Sequence, residues 1–187
     1  MAGELNGIQV AVLATDGVEQ VELEQPWDAV TRAGAQVVLV SLHEGQIQAM
    51  NHDIEPGARF EVDAQVSDVS PADFDALILP GGTVNPDQLR TSRDAVDFVR
   101  SFVNSGRLVA AICHGPWTLV EADVVRGRTL TSYPSIRTDI RNAGGNTVDE
   151  EVVTDGNLIT SRNPDDLPAF CAAIVSQLAG AARHVSG

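Results

Sequence analysis

A cysteine followed directly by a histidine, Cys113-His114, stands where the apolar run Leu108–Ile112 gives way to Gly115-Pro116. The run reads as a buried strand. Pro116 suits the first turn of a helix, where its missing N–H costs nothing. A nucleophile held at a strand-to-helix turn needs small residues two positions before and after it, because the turn presses two backbone segments together. Ala111 and Gly115 meet that need. The positive end of the following helix should favour thiolate, so the Cys113 pKa is expected to be lowered. The competing reading is an inert core cysteine beside a chance histidine. A histidine adjacent in sequence to its nucleophile is also awkwardly placed, and it is expected to need a separate carboxylate to orient it.

Three other stretches could supply partners. Pro80-Gly81-Gly82-Thr83 follows the apolar run Ala76–Leu79. Its glycines could bring an amide to a reacting oxygen, together with the amide of His114, or could form a simple tight turn. Asp16 and Glu19 have capping-box spacing. Glu19 is either a helix-start residue or a carboxyl group within reach of the thiol, able to give or take a proton. Asn85-Pro86-Asp87-Gln88 reads as a helix start with Asn85 as cap and Asp87 as a favourable first-turn charge. Cys171, within Ala169-Phe170-Cys171-Ala172-Ala173-Ile174, reads as core packing. His43 and His52 show no partner pattern, His184 falls in the tail, and no metal-ligand spacing is visible.

These residues need a frame. Strands are expected at 8–14, 36–42, 76–79, 108–112, 129–132, 152–153 and 158–160, with a β excursion around 47–50 and 59–62. Helices are expected at 21–32, 94–103, 115–121, 136–143 and 168–181. Alternation of apolar strands with helices argues for an α/β fold around a parallel sheet. In such sheets the chemistry sits beyond the carboxyl ends of the strands, where Cys113, Gly82 and Glu19 all fall.

Composition narrows the chemistry. The 187 residues suit one domain, with 43% hydrophobic and 20% charged residues as in a folded core. Twelve basic against 26 acidic residues give a formal charge of −14, which repels nucleic-acid phosphates and anionic lipid. All twelve basic residues are arginine. Without lysine there is no Schiff-base chemistry, no pyridoxal-phosphate anchor and no P-loop. Two cysteines make neither a disulfide framework nor a four-ligand zinc site. With no apolar leader at residues 1–5 and no run long enough to span a bilayer, an intracellular, cytoplasmic location is the expectation.

Ala110-Ala111-Ile112-Cys113-His114-Gly115-Pro116, with Leu79-Pro80-Gly81-Gly82 before it and Thr131-Ser132-Tyr133-Pro134 after it, resembles the PfpI family of intracellular proteases and general stress proteins. That superfamily also holds the parkinsonism-associated deglycase and class I glutamine amidotransferase domains. Asp16-Gly17-Val18-Glu19 and Ser161-Arg162-Asn163-Pro164-Asp165-Asp166-Leu167 match too, so the likeness runs from about residue 8 to 178. The resemblance implies a flavodoxin-like three-layer sandwich that forms a homodimer, or a hexamer made of three dimers. It implies Cys113 as nucleophile with Glu19 hydrogen-bonded to its sulfur. It implies His114 as base, oriented by Asp87 of a neighbouring subunit. Gly82 and His114 amides would form the oxyanion hole, Tyr133 would line the pocket, and no cofactor would be needed. An amidotransferase site is disfavoured, because the late His184 has no acid after it.

The expected function is a cofactor-free deglycase or glutathione-independent glyoxalase acting on reactive carbonyls or glycated substrates. The alternatives are an intracellular cysteine peptidase and a non-enzymatic redox-responsive chaperone or sensor working through Cys113 oxidation.

Overall fold

The structure is a computed structural model; it describes residues 3–185, with side chains to residue 181, so the side chain of His184 lies outside the described residues. In chain order the elements are β1 (Gln9–Leu13), α1 (Gln20–Arg32), β2 (Gln36–Ser41), β3 (Gln46–Asn51), β4 (Glu55–Glu61), β5 (Ala64–Gln65) and β6 (Ala76–Leu79). There follow α2 (Val84–Leu89), α3 (Arg93–Asn104), β7 (Leu108–Ile112), α4 (Pro116–Glu121), β8 (Thr129–Leu130) and α5 (Arg137–Asn142). The chain then forms β9 (Asn146–Thr147), β10 (Val153–Asp155), β11 (Leu158–Ser161) and α6 (Leu167–Val185).

Seven strands form one sheet in the order β10-β11-β7-β6-β1-β2-β5, and only β10 runs antiparallel. From β1 the chain moves outward through β2 to β5, then returns to the other side of β1 for β6 and β7. The connections leaving β1 and β6 therefore part in opposite directions, which opens a crevice at their carboxyl ends.

Both faces of the sheet are covered, so its strands are apolar on alternate residues in both directions. Val10, Val12, Ile78, Ala110 and Ile112 pack with Leu23 and Val30 of α1 and Phe170 and Ile174 of α6. Ala11, Leu13, Leu77, Leu79, Val109 and Ala111 pack with Phe98, Val99 and Phe102 of α3, Leu119 of α4 and Ile140 of α5. This is the α/β arrangement expected from the alternation, in the flavodoxin-like three-layer form that the resemblance implies. The β excursion is the antiparallel hairpin β3–β4, which lies outside the main sheet. It docks on the loop after β1: Gly17 N–H donates to Gln48 O and Met50 N–H to Val18 O, at 2.9 and 2.8 Å.

Three local expectations need correction. The strand expected to reach residue 132 stops at Leu130, because the Thr131 amide turns to the Thr160 hydroxyl and the Tyr133 amide to the Cys113 carbonyl. Asn85 does not cap α2; Thr83 stands at that position. The fully buried Asn85 side chain instead accepts from Thr15 N–H and donates to the carbonyls of Pro80 and Gly81, tying the loops after β1 and β6 together. The Asp16–Glu19 capping box does not form. Asp16 accepts from the Gln48 amide at 2.7 Å, and the Glu19 side chain makes no cap bond. No helix among the described residues is long and apolar enough to cross a membrane.

Candidate active site

Cys113 ends β7 in the left-handed region, with φ of +62°. For a residue with a Cβ this conformation costs roughly 1–3 kcal/mol and persists only where surrounding structure imposes it. Here the turn is held by Cys113 N–H donating to Ser161 O and Gly115 N–H donating to Ile112 O. The small residues matter as expected. A Cβ on Gly115 would lie 2.5 Å from Leu79 O, and one on Gly81 would lie 2.5 Å from Glu22 Oε2 and 2.6 Å from Cys113 Cβ. Gly115→Ala should therefore lower stability by about 1–3 kcal/mol, read as a lower denaturation midpoint, because the obstructing atom is backbone and cannot move aside.

The sharp bend also decides the histidine question. His114 Nδ1 lies 3.2 Å from Cys113 Sγ, so the adjacent histidine does reach its thiol. Its ring is fixed on three sides. It stacks on Tyr133 (4.5 Å between centroids, 26° between planes), meets the edge of Trp117 at 5.3 Å, and bonds through Nε2 to Ser135 Oγ at 3.1 Å. Burial lowers the His114 pKa, against an opposing pull from Asp53, so the ring is neutral at neutral pH.

The carboxyl group at the sulfur is Glu22, not Glu19. Glu22 is fully buried beside the Cys113 thiol and accepts the Gly81 amide on Oε2 at 2.8 Å. Its other oxygen has no hydrogen-bond partner. Glu19 instead accepts from the amides of His52 and Asp53 at 3.0 and 3.2 Å, holding the hairpin tip over the site. Helix phase explains the exchange. Glu19 is the extended residue before α1, whereas Glu22 lies on the buried stripe with Leu23, Pro26 and Val30. A carboxylate on that apolar stripe was the signal in the sequence, and the capping-box reading drew attention to its neighbour.

Burial pushes the Glu22 pKa up to about 8, with the Glu19 charge adding to the rise. The thiol is also pushed up, first by burial and then by the Glu22 charge, while the amides of His114 and Gly82 pull the other way. The expectation of a thiol lowered by the helix dipole is thus overturned. Cys113 is only 6% exposed, and α4 is a helix of six residues. Desolvation outweighs so short a dipole. Two anions do not sit side by side in such a site, so at neutral pH Glu22 keeps its own proton beside the thiol. The thiolate forms when the thiol proton leaves for His114 while the protonated Glu22 faces the sulfur.

The Gly82 and His114 amides both point at the sulfur, which is where an oxyanion on an added carbon would be met. Gly82 has a φ of +75°, and a Cβ there would lie 2.3 Å from Gly17 O. A cavity of about 280 Å³ opens on the thiol, lined by Glu19, Glu22, His52, Asp53, Gly82, Cys113, Tyr133 and Pro164. Asp53, unmarked in the sequence, closes its rim by accepting from the amide and hydroxyl of Thr83 at 2.7 and 3.0 Å. Asp87 is exposed on α2, and the nitrogen of His114 that it was expected to orient is already bonded to Ser135 within the chain. A larger cavity, about 480 Å³, lies at the opposite, amino-terminal edge of the sheet around Ile8, Leu108 and Leu178, and no nucleophile lines it.

The chain is 46% identical over 164 residues to protein/nucleic acid deglycase 2 of Escherichia coli, covering 87% of this chain and 92% of that protein. It is 43% identical over 162 residues to a Bacillus subtilis protein whose name marks it provisionally as a cysteine protease, covering 87% and 93%. The solved structure of Drosophila melanogaster DJ-1beta superposes with a TM-score of 0.83 at 33% identity, covering 96% of this chain and 92% of that one. Residues 8–177 match the sequence profile of the DJ-1/PfpI family. With its strained cysteine at the end of β7 and its glycine pair at the end of β6, the chain belongs to the DJ-1/PfpI family.

Proposed function

We propose that the chain is a cysteine-dependent deglycase or glyoxalase acting on reactive carbonyls and their adducts. The observation that carries this is the setting of one sulfur: His114 Nδ1 at 3.2 Å, the buried Glu22 carboxyl beside it, and the His114 and Gly82 amides near enough to favour its thiolate. The thiol proton passes to neutral His114, while the protonated Glu22 faces the sulfur. The sulfur then attacks the aldehyde carbon, a C–S bond forms, and the carbonyl pair moves onto oxygen, where the Gly82 and His114 amides hold it. With methylglyoxal, a base of the site carries the C1 hydrogen to C2 as a proton. C1 is thereby oxidised to a thioester while the C2 ketone is reduced to an alcohol. Water then cleaves the thioester, giving lactate and restoring the thiol. A glycated amine is a hemiaminal at C1: there the C–N bond breaks as the C–S bond forms, the amine leaves with the proton held by His114, and the resulting hemithioacetal goes on to lactate by the same steps. The name of the Escherichia coli relative supports this reading, and so does the size of the cavity.

The same reading carries a homodimer, or a trimer of dimers, in which the exposed Asp87 of one subunit faces the site mouth of another. Exposed Val84 and Tyr133, at 45% and 39%, support such a contact. The second reading, a cysteine peptidase, shares the thiol and the amides, and the name of the Bacillus subtilis relative favours it.

One assay separates the two. Purified protein is given methylglyoxal, methylglyoxal-treated N-acetylarginine and short fluorogenic peptides in parallel. Lactate from the first two without peptide cleavage supports carbonyl chemistry. Peptide cleavage lost in Cys113→Ala, with no lactate at millimolar carbonyl, would transfer the assignment to a peptidase.

A further inference from the structure

We propose that Ser135 is the positioning residue for His114: its hydroxyl holds Nε2 so that Nδ1 faces the Cys113 sulfur, and it does so within one chain. The inference deepens the proposed function, since it concerns the same thiol and the proton it must lose. It rests on geometry already described. His114 is 6% exposed and clamped between Tyr133 and Trp117, so the ring has little freedom except rotation in its own plane. The 3.1 Å bond from Nε2 to Ser135 Oγ and the 3.2 Å contact from Nδ1 to Sγ lie at opposite sides of that ring and together fix this rotation. Pro134 starts the short 3-10 turn Pro134–Ile136 that carries Ser135, and the Tyr133 amide bonds back to the Cys113 carbonyl. The hydroxyl is therefore anchored to the same bend as the nucleophile.

A hydroxyl differs from a carboxylate at this place in one useful way: it holds Nε2 without carrying a charge. Before proton transfer, Nε2–H donates to Ser135 Oγ and the Nδ1 lone pair faces the thiol hydrogen. Once the thiol proton has moved to Nδ1, the ring is imidazolium: Nδ1–H donates to the thiolate and Nε2–H still donates to Ser135 Oγ. The hydroxyl oxygen accepts in both states, with no net charge added. A carboxylate would instead favour imidazolium. Other groups also face the ring. Cys113 and Glu22 lie on its sulfur side, Asp53 of the hairpin acts through its charge, and the Tyr133 ring lies flat on it. Behind Trp117 stand Asp139, bonded to its indole N–H, and Arg90, over its ring. Ser135 is the group bonded directly to Nε2.

The test is the pH dependence of Cys113 alkylation by iodoacetamide, followed by intact mass from pH 5 to 10 for the native chain and for Ser135→Ala, Ser135→Thr, Ser135→Asp and Asp87→Asn. Loss of one hydrogen bond should slow alkylation of Ser135→Ala at pH 7 by about 3- to 10-fold. Ser135→Thr, which keeps the hydroxyl, should restore the native profile. Ser135→Asp should move the His114 midpoint, read by imidazole NMR, upward by about one pH unit. A Ser135→Ala profile that overlays the native one would overturn the proposal. So would a native profile in Ser135→Ala beside a slowed one in Asp87→Asn, which would pass the role to a neighbouring subunit. Should Ser135→Ala fold poorly, the Ser135→Asp shift decides alone: an unmoved His114 midpoint overturns the proposal. Alkylation needs no carbonyl substrate. A Ser135-dependent profile in a protein that turns over no carbonyl would leave this inference standing and remove the proposed activity.

Discussion

Cys113→Ala is expected to abolish turnover of methylglyoxal and its adducts, with kcat/KM falling at least about 10³-fold, because no other nucleophile lines the 280 Å³ cavity. Cys113→Ser should fall about as far. Its hydroxyl ionises far less readily than a thiol, and nothing in the site compensates for that. The two variants should part company in stability. Serine places a polar group in a cleft already crowded by Glu22 and the Gly81 backbone, whereas alanine leaves Glu22 free to stay protonated with no competing acid. Residual activity above a few per cent in the alanine variant, with methylglyoxal as substrate and lactate as readout, would remove Cys113 from the chemistry. Cys171, half-buried in α6 and pushed up to about 11 by burial, is the internal control: Cys171→Ala should leave turnover unchanged.

The second large effect belongs to Glu22. The folded chain holds the Glu22 proton up to about pH 8, while the unfolded chain releases it near 4.5. Between those values the native state binds more protons than the unfolded state, so stability falls as pH rises through this window and levels off above it. The slope approaches about 1.4 kcal/mol per pH unit where the difference is fullest, or several kcal/mol across the window. Asp149 and Asp166, whose pKa values are lowered, contribute with the opposite sign at lower pH, and a comparison of variants isolates Glu22. Glu22→Gln keeps the shape and can still accept the Gly81 amide, but it does not titrate. Its denaturation midpoint should match that of the native protein near pH 5 and exceed it increasingly towards pH 8.5. Its kcat/KM should nonetheless drop by about 100-fold, because the amide cannot supply the acidic proton that Glu22 holds beside the sulfur. A constant offset between the two proteins at every pH would mean that Glu22 is already ionised in the folded state.

These two residues mark where sequence and structure divide. The strands that carry the site, β6 and β7, have the bounds that their apolar runs indicate, because strands covered on both faces must be apolar throughout. The cysteine bend and the glycine pair are legible because small residues and glycines at a strand's end mark a tight turn, and the α/β class follows from the alternation of strand and helix.

Which acid meets the thiol is a different sort of fact. Glu19 and Glu22 are three positions apart, and only the rotational setting of α1 against the sheet sends one to the sulfur and the other to the hairpin tip. Asn85 has the spacing of a helix cap, yet it serves as a clamp because two loops from different strands close around it. Ser135 reaches His114 across 21 positions of chain, and Asp53 reaches Thr83 across 30. The thiol pKa went against its local signal for the same reason. A helix terminus can be read in the sequence, but the burial that overrides it is made by α1 packing down over the turn. The sequence alone thus determined the place of Cys113 at its bend and the sheet beneath it. The tertiary structure decided the proton partners, because those are set by the distance and dielectric between segments that meet only when the layers close.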